Sequence, residues 1–265
     1  MKYVNIDNTK WYDRVWAAFI FFTRLPLWRM HQPPEQCFKT VVEHWPLVGW
    51  LTGSCMAAII YFGSMVFPYS IALLLALVAR VLLTGALHED GLADFCDGFG
   101  GGGTDRERIL AIMKDSHIGT YGVLGLILYF ALLFFALSSM QPFYAALAVL
   151  AGDAYSKMVA GQIIMFLPYA RTEQTAKNHT VYRKFSPKAG FSLFVQGMLP
   201  MTPLLYIGIT EGWLRWDLII FVPCLVMYFL YLFVNRRLHG YTGDCCGAMF
   251  LLIELSFYLT LASNS

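Results

Sequence analysis

The sequence predicts an all-α, polytopic integral membrane protein: one helical bundle of about seven transmembrane helices, in a single domain over residues 1–265. Of the 265 residues, 58% are hydrophobic and only 14% are charged, and the mean hydropathy is +0.56. An ordinary soluble domain carries more charge than this to cover its surface. The apolar residues also fall into runs of about 20, the length that crosses a bilayer as a helix.

Residues 1–45 are expected to form a cytoplasmic or interfacial segment ahead of the bundle. A helix is predicted from about Trp11 to Leu27, where an aromatic run lies between Arg14 and Arg24. This stretch is too short and too charged to span a membrane, so we expect it to lie in the interface. The N-terminus has no short apolar run ending in small residues, and we therefore expect no cleaved signal peptide.

Seven apolar runs long enough to span follow within 46–265. They lie at about 46–67, 70–88, 118–140, 142–167, 191–210, 217–234 and 247–262. With the N-terminus inside, 16 of the 19 Lys and Arg residues fall on the cytoplasmic side. The positive-inside rule therefore predicts an inner-membrane protein whose N-terminus and polar loops, 89–117 and 168–190, face the cytoplasm.

One polar stretch interrupts the apolar pattern and holds seven of the 17 acidic residues, between Glu89 and Asp115. Three of them are spaced i, i+4 and i+7, which places their carboxylates on one side of a helix within about 60° of arc. They are Asp90, Asp94 and Asp97. Carboxylates without His or Cys pairs beside them favour a hard cation, and Mg²⁺ in particular is held by carboxylates together with substrate phosphates.

Four glycines, Gly100–Gly103, follow the acidic residues and are expected to offer backbone N–H groups to anions. The basic residues Arg106, Arg108 and Lys114 come next. The spacing matches neither the P-loop nor the dinucleotide-binding fingerprint. The alternative interpretation is a solvated Asp/Gly-rich loop, but three carboxylates in helical register before four glycines favour a metal–phosphate site.

Ionisable residues inside the predicted spans are expensive and usually functional. Asp153 and Lys157 are four residues apart on one helical face, so they form either a local ion pair or a phosphate-binding pair. Arg80 pairs with Glu254 or lies near the acidic cluster, and the sequence does not decide between these. Asp244, in a Gly-rich turn before the last span, is a further candidate metal or substrate ligand.

Several motifs together resemble one family. The strings His88-Glu-Asp-Gly-Leu-Ala-Asp-Phe-Cys-Asp-Gly98 and Ile112-Met-Lys-Asp-Ser-His-Ile-Gly-Thr-Tyr-Gly122 closely resemble the cobalamin synthase family, also called adenosylcobinamide-GDP ribazoletransferase. Shorter matches are Phe22-Thr-Arg-Leu-Pro26, Tyr169-Ala-Arg171 and Gly240-Tyr-Thr-Gly-Asp244, so the resemblance runs nearly end to end. One departure is Ser156-Lys157, where many relatives have Ser-Arg; Lys keeps the charge but lacks the guanidinium fork.

The resemblance implies a Mg²⁺-dependent enzyme of the last steps of cobalamin biosynthesis. Such enzymes join adenosylcobinamide-GDP to α-ribazole or its 5′-phosphate, giving adenosylcobalamin or its phosphate and releasing GMP. The metal is then assigned to Asp90, Asp94 and Asp97, with Asp244 as a further ligand. A member of the cluster or Asp115 acts as base. The expected substrate-binding residues are Arg24, His88, Lys114, Lys157 and Arg171.

Two rival functions belong to other classes. A CDP-alcohol phosphotransferase also uses an Asp-Gly-rich cluster, but its pattern continues with Ala-Arg and a Gly-x3-Asp-x3-Asp ending, which this chain lacks. A transporter would place polar groups near the midplane of paired broken helices. Besides its two substrates and the lipid bilayer, the chain is expected to bind no nucleic acid, and the sequence leaves homo-oligomerisation open.

Overall fold

The computed structural model describes residues 9–171 and 181–263, which leaves Lys2 and Lys177, two of the basic residues behind the predicted orientation, outside. Within these ranges the chain is helical and forms no β-strand. The α-helices described are α1 (Trp11–Phe22), α2 (Trp45–Gly63), α3 (Tyr69–Thr84), α4 (Leu87–Gly101), α5 (Arg106–Lys114), α6 (Thr120–Ser138), α7 (Pro142–Gly161), α8 (Ile163–Phe166), α9 (Pro187–Met198), α10 (Thr202–Thr210), α11 (Trp216–Leu238) and α12 (Gly243–Ala262). Short 3₁₀ segments cover Leu27–Arg29, Glu35–His44 and Leu199–Met201.

The predicted interfacial helix is shorter than expected. α1 ends at Phe22 rather than near Leu27, because Thr23 takes an extended conformation. The helix packs against the 3₁₀ segment Glu35–His44, and Trp11 at its start is 77% exposed. The N-terminal segment therefore lies against the bundle with an aromatic residue on its outer side.

The all-α, polytopic class is confirmed; by length and apolar composition alone, the described residues give five or six candidate spans where the sequence predicts about seven. In the described residues, five helical runs are long and apolar enough to span: Glu35–Gly63, Thr120–Ser138, Pro187–Thr210, Trp216–Leu238 and Gly243–Ala262. A sixth results if α3 and α4, bent by 89°, form one broken span. The predicted run at 142–167 corresponds to α7, whose residues 151–161 are all buried inside the bundle. It faces protein rather than lipid, so it tolerates charged and small residues.

The predicted span at 70–88 ends early, and the polar stretch after it is not a loop. Gly85 and Ala86 adopt left-handed backbone conformations, with φ of +66° and +58°, and these end α3 at Thr84. The chain turns and forms α4, which carries the three aspartates and packs on α6 and α12. The acidic residues are therefore on a helix, as their spacing predicts.

The intramembrane charges pair with one another. Arg80 on α3 donates to both carboxylate oxygens of Glu254 on α12, at 2.9 and 2.7 Å, and to the Tyr129 hydroxyl at 2.6 Å. Lys157 and Asp153 form an ion pair in which both side chains are at most 1% exposed. Pairing offsets the free-energy cost of burying each charge, so each residue compensates the charge of its partner inside the bundle.

Candidate active site

The candidate site forms where α4 meets the start of α12. An added Cβ at Gly91 would lie 3.0 Å from the carbonyl oxygen of Asp244 and 3.2 Å from its Cα. At Gly247, such an atom would lie 3.3 Å from the Cα of His88. Because a glycine stands at each of these contacts, the two helices approach closely. Asp90 on α4 and Asp244 in the first turn of α12 consequently line one cavity.

Arg171 reaches the same cavity through a short backbone pairing. The N–H of Ala170 donates to the carbonyl of Tyr241 at 2.7 Å, and the N–H of Tyr241 donates to that of Pro168 at 2.9 Å. The guanidinium of Arg171 donates to the Leu110 carbonyl at 2.7 Å. This bond uses one Nη and leaves the other donors of the guanidinium for a ligand.

These contacts surround a cavity of about 130 Å³ with a mixed lining. A polar group is formed by Asp90, Arg171, Thr242 and Asp244. An aromatic wall, in which each ring lies within 6.2 Å of another, is formed by Phe21, Phe22, Trp45, His88 and Tyr182. The cavity therefore offers both charged groups and flat apolar surfaces to a ligand.

Two tyrosine hydroxyls of the lining stay protonated at neutral pH. Burial raises the pKa of Tyr169 to about 12, helped by the nearby Cys246 and Asp244. Burial also raises the pKa of Tyr182 well above its ordinary value. Both side chains can therefore donate a hydrogen bond to a ligand in the cavity.

Four of the residues predicted from the sequence line this cavity: His88, Asp90, Arg171 and Asp244. The other six are not among the lining residues that the structure describes: Arg24, Asp94, Asp97, Lys114, Asp115 and Lys157. Asp94 is half-buried one turn beyond Asp90 on α4. Four of the ten predicted site residues thus meet in one cavity, and the roles of all ten stay predictions.

Asp97 caps another helix, which corrects the predicted single cluster of three aspartates. Its two oxygens accept the backbone N–H groups of Gly119 and Gly122, at 2.7 and 2.9 Å, at the start of α6. A seven-residue separation also places Asp90 and Asp97 about 10 Å apart along a helix. In the described part of the chain, no three acidic, His or Cys side chains come together closely enough to hold a metal ion.

Asp115 is exposed in the turn after α5. It accepts the N–H of His117 at 3.1 Å and approaches the Nδ1 of that residue to 2.7 Å. These hydrogen bonds lower the pKa of Asp115, and the carboxylate in turn raises the pKa of His117. Asp97 and Asp115 line a second cavity of about 270 Å³. Asp115 is therefore not placed as a base for chemistry beside Asp90.

The three remaining residues predicted to bind substrate have positively charged side chains that lie outside the cavity. Lys157 is in its ion pair with Asp153. Lys114 is exposed at the end of α5. The Arg24 side chain lies over Gly85, and its backbone N–H donates to the Leu83 carbonyl at 2.7 Å.

The glycine tail also differs from the prediction of an anion-binding loop. The N–H of Gly102 donates to the Gly98 carbonyl at 2.9 Å, which continues the helical pattern of α4. An added Cβ at Gly98 would lie 2.6 Å from the Met113 Cγ, and one at Gly102 would lie 2.5 Å from the Ile109 Cγ1. The glycines therefore let α5 pack closely on α4.

Comparison with known proteins identifies the family. The profile of the family described as cobalamin-5-phosphate synthase matches residues 14–262. The chain belongs to this family. Similar relatives named adenosylcobinamide-GDP ribazoletransferase occur in Leptospira interrogans, at 34% identity over 96% of this chain and 97% of the relative, and in Shewanella frigidimarina, at 35% over 92% of each. Another such relative, from Vibrio parahaemolyticus, is 34% identical over 92% of this chain and 89% of its own length. No solved structure gives a significant match.

The cavity suits a hard cation bound with a phosphate. Asp90 and Asp244 supply carboxylates from two helices, and Thr242 adds a hydroxyl 3.4 Å from Asp244 Oδ2. Mg²⁺ prefers oxygen ligands and is commonly held by one or two carboxylates plus substrate phosphates. Arg171 gives the same cavity a positive group for the phosphates. The donor set therefore fits Mg²⁺ without a third aspartate.

The sequence did not single out most of the aromatic wall. Trp45 lies at the start of α2 and Tyr182 follows the gap in the described residues, far from the acidic motif in sequence. Phe22 was noted only as the first residue of the Phe-Thr-Arg match. Aromatic residues are common in membrane helices, so no local signal separates these from packing residues.

Proposed function

We propose that this chain joins adenosylcobinamide-GDP to α-ribazole or its 5′-phosphate and releases GMP. Membership of the cobalamin-5-phosphate synthase family and the names of the relatives support the reaction class. The observation that carries the proposal is the common cavity of Asp90, Arg171 and Asp244, which come from three separate segments. Together they provide the charges that a diphosphate substrate with a metal ion requires.

The reaction makes one P–O bond and breaks another. A ribose hydroxyl of the ribazole substrate attacks the phosphorus attached to the corrinoid side, the phosphoanhydride bond breaks, and GMP leaves. The hydroxyl proton passes to a carboxylate of the cavity and then to water. Catalysis of this type depends on positioning the reactants and neutralising charge.

Arg171 is proposed to bind the diphosphate. Its Leu110 hydrogen bond fixes the guanidinium at the cavity, and the planar fork suits two phosphate oxygens. Tyr169 also lines the cavity, and its protonated hydroxyl is proposed to donate a further hydrogen bond to the diphosphate.

Mg²⁺ is proposed to be held by Asp90 and Asp244 together with the diphosphate. Asp94, one turn along α4 from Asp90, is not among the described lining residues, and its predicted part in binding the metal stays a prediction. When bound, the ion neutralises the oxyanions of the transferring phosphate, an effect that contributes several kcal/mol in such enzymes. Asp97 is not part of this proposal because its oxygens cap α6.

A direct assay tests the proposed reaction. The purified protein, in detergent or liposomes, is incubated with adenosylcobinamide-GDP, α-ribazole and Mg²⁺, and GMP is measured. We expect GMP and a corrinoid carrying the ribazole group in equal amounts. Release of CMP from a CDP-alcohol, with no GMP from the corrinoid substrate, would contradict the proposal. A matched reaction in excess chelator should release no GMP if Mg²⁺ is required.

A further inference from the structure

Two buried nitrogen atoms of the aromatic wall have no hydrogen-bond partner in the described structure. They are Nε1 of Trp45 and Nε2 of His88, in residues that are 1% and 3% exposed. Nearly all buried polar atoms in folded proteins are hydrogen-bonded, and an unpaired one destabilises the fold. Both residues line the cavity that contains Asp90 and Asp244. A ligand in this cavity is therefore a natural partner for them.

Ring packing, rather than hydrogen bonding, positions these two side chains. The rings of Phe22 and Trp45 stack with centroids 5.2 Å apart, and that of His88 lies nearly parallel to both, at 6.0 and 5.7 Å. Phe250 contacts His88 edge-on at 4.9 Å. The three stacked rings cover one another, and the partly exposed rings of Phe21 and Tyr182 give the wall flat surface on which a flat ring of a ligand can stack.

Trp45 gives the wall one group that can only donate a hydrogen bond, its indole N–H. The Tyr182 hydroxyl and the His88 ring can also donate, but each can accept as well. The carboxylates among the lining residues, Asp90 and Asp244, belong to the polar group of the cavity. At Trp45 the wall therefore matches a ring atom that accepts a hydrogen bond and carries no N–H.

We propose that the aromatic wall binds the base of the ribazole substrate, with Trp45 as a specificity-determining residue. This inference rests on the proposed function. A benzimidazole riboside has one free ring nitrogen that accepts a hydrogen bond, and no N–H donor. Guanine, the other base in the reaction, has an N–H and an amino group, neither of which can pair with the Trp45 N–H. The base therefore binds beside the polar group that holds the diphosphate.

The test compares α-ribazole with its indole analogue, in which the free ring nitrogen is replaced by C–H. In the wild-type enzyme, the analogue should have a KM higher by roughly tenfold, the loss expected for one hydrogen bond. Trp45→Phe keeps an aromatic ring but removes the N–H. It should raise the KM for α-ribazole by a similar factor, leave the KM for the analogue unchanged, and leave the KM for adenosylcobinamide-GDP unchanged.

Trp50→Phe is the matched control, because the Trp50 N–H donates to the Gln196 carbonyl at 2.7 Å instead of lining the cavity. It should not change the preference for α-ribazole. Equal KM values for α-ribazole and its analogue in the wild-type enzyme would overturn the inference, even if Trp45→Phe failed to fold. A KM increase only for adenosylcobinamide-GDP would place guanine at the wall and also overturn it. If the wild-type enzyme released no GMP at all, the proposed function itself would fail.

Discussion

At the scale of single residues, Asp97 and Asp90 are predicted to have opposite roles despite lying on the same helix. Asp97→Asn replaces one of the two oxygens that accept N–H groups of α6 with an amino group. We expect it to lower the free energy of unfolding by about 1–3 kcal/mol, the cost of a charge-assisted hydrogen bond. GMP release should remain near wild type at temperatures where the variant is folded.

The contrasting variant is Asp90→Asn, whose side chain is exposed in the cavity. It should melt at the wild-type temperature and lose nearly all GMP release. Thermal melting and the GMP assay on both variants check this pair. A normal melting temperature for Asp97→Asn, together with lost activity, would return Asp97 to the active site.

Arg171 is predicted to bind phosphate through the geometry of its side chain as well as its charge. A lysine cannot donate to the Leu110 carbonyl and also present a planar fork to the diphosphate. Arg171→Lys should therefore raise the KM for adenosylcobinamide-GDP by about tenfold. Lys188→Ala, in an exposed residue of α9, should leave that KM unchanged. Equal effects of the two substitutions would show that the 168–190 loop contributes only its positive charge, with no specific hydrogen bond from Arg171 to the phosphates.

The acidic residues show what the sequence could predict at this scale. The spacing of Asp90, Asp94 and Asp97 correctly predicted a helix. It also contained the reason against one shared ion, because seven residues of helix rise about 10 Å, far beyond the reach of a 2.1 Å Mg²⁺ ligand shell. The capping role of Asp97 was not predictable, since it depends on where α6 begins.

At the scale of helices, the contact between α4 and α12 is predicted to depend on Gly91. An added methyl there meets the backbone of Asp244 at 3.0–3.2 Å, so α12 has to move away by a few tenths of an ångström. Gly91→Ala should lower the free energy of unfolding by about 1–3 kcal/mol through overpacking. It should also raise the Mg²⁺ concentration needed for half-maximal activity, because Asp90 and Asp244 separate.

Gly101→Ala is the control on the same helix, since its added methyl would meet only the end of the Ile112 side chain, at 3.4 Å. Alanine is the better helix former, so this variant should be as stable as wild type or slightly more stable. Urea unfolding and Mg²⁺ titrations of both variants provide the comparison. An unchanged Mg²⁺ requirement in Gly91→Ala would mean that the contact does not set the site geometry.

Helix boundaries were predictable where the apolar runs are long and mostly lipid-facing, as for α6 and α11. The errors fall on elements buried in the bundle or bent by backbone geometry. The burial of α7 inside the bundle was not predicted, because hydropathy does not distinguish a lipid-facing face from a buried one. The end of α3 was missed because the left-handed conformation of Ala86 has no signal in its residue type.

At the scale of the whole molecule, the cavity brings together residues of the predicted cytoplasmic loops. Asp90 lies in the first and Arg171 and Tyr182 lie in the second, while Asp244 is in the first turn of α12, the last span. Reporter fusions after Lys114 and after Lys184 should therefore both give cytoplasmic signals. A fusion after Arg215, at the start of α11, should give a periplasmic signal. A periplasmic signal after Lys114 or Lys184 would contradict the proposed orientation.

The sequence motifs predicted the family and the charged half of the cavity because they carry rare residues in fixed order. The aromatic wall could not be predicted, since α1, α2, α4 and the segment after residue 180 contribute to it. Such a surface exists only once the helices have packed. The partners of Arg80 and Lys157 were ambiguous for the same reason.

In the metal site that we propose, two carboxylates from different helices, Asp90 and Asp244, hold Mg²⁺ with the substrate diphosphate. Its most direct test is a Mg²⁺ titration of GMP release by the wild-type enzyme, Asp90→Asn, Asp244→Asn and Asp97→Asn. We expect the Mg²⁺ midpoint to rise at least about tenfold, and the maximal rate to fall by orders of magnitude, in Asp90→Asn and Asp244→Asn. Asp97→Asn should keep the wild-type midpoint. Wild-type Mg²⁺ midpoints in both Asp90→Asn and Asp244→Asn would show that these two carboxylates do not hold the ion.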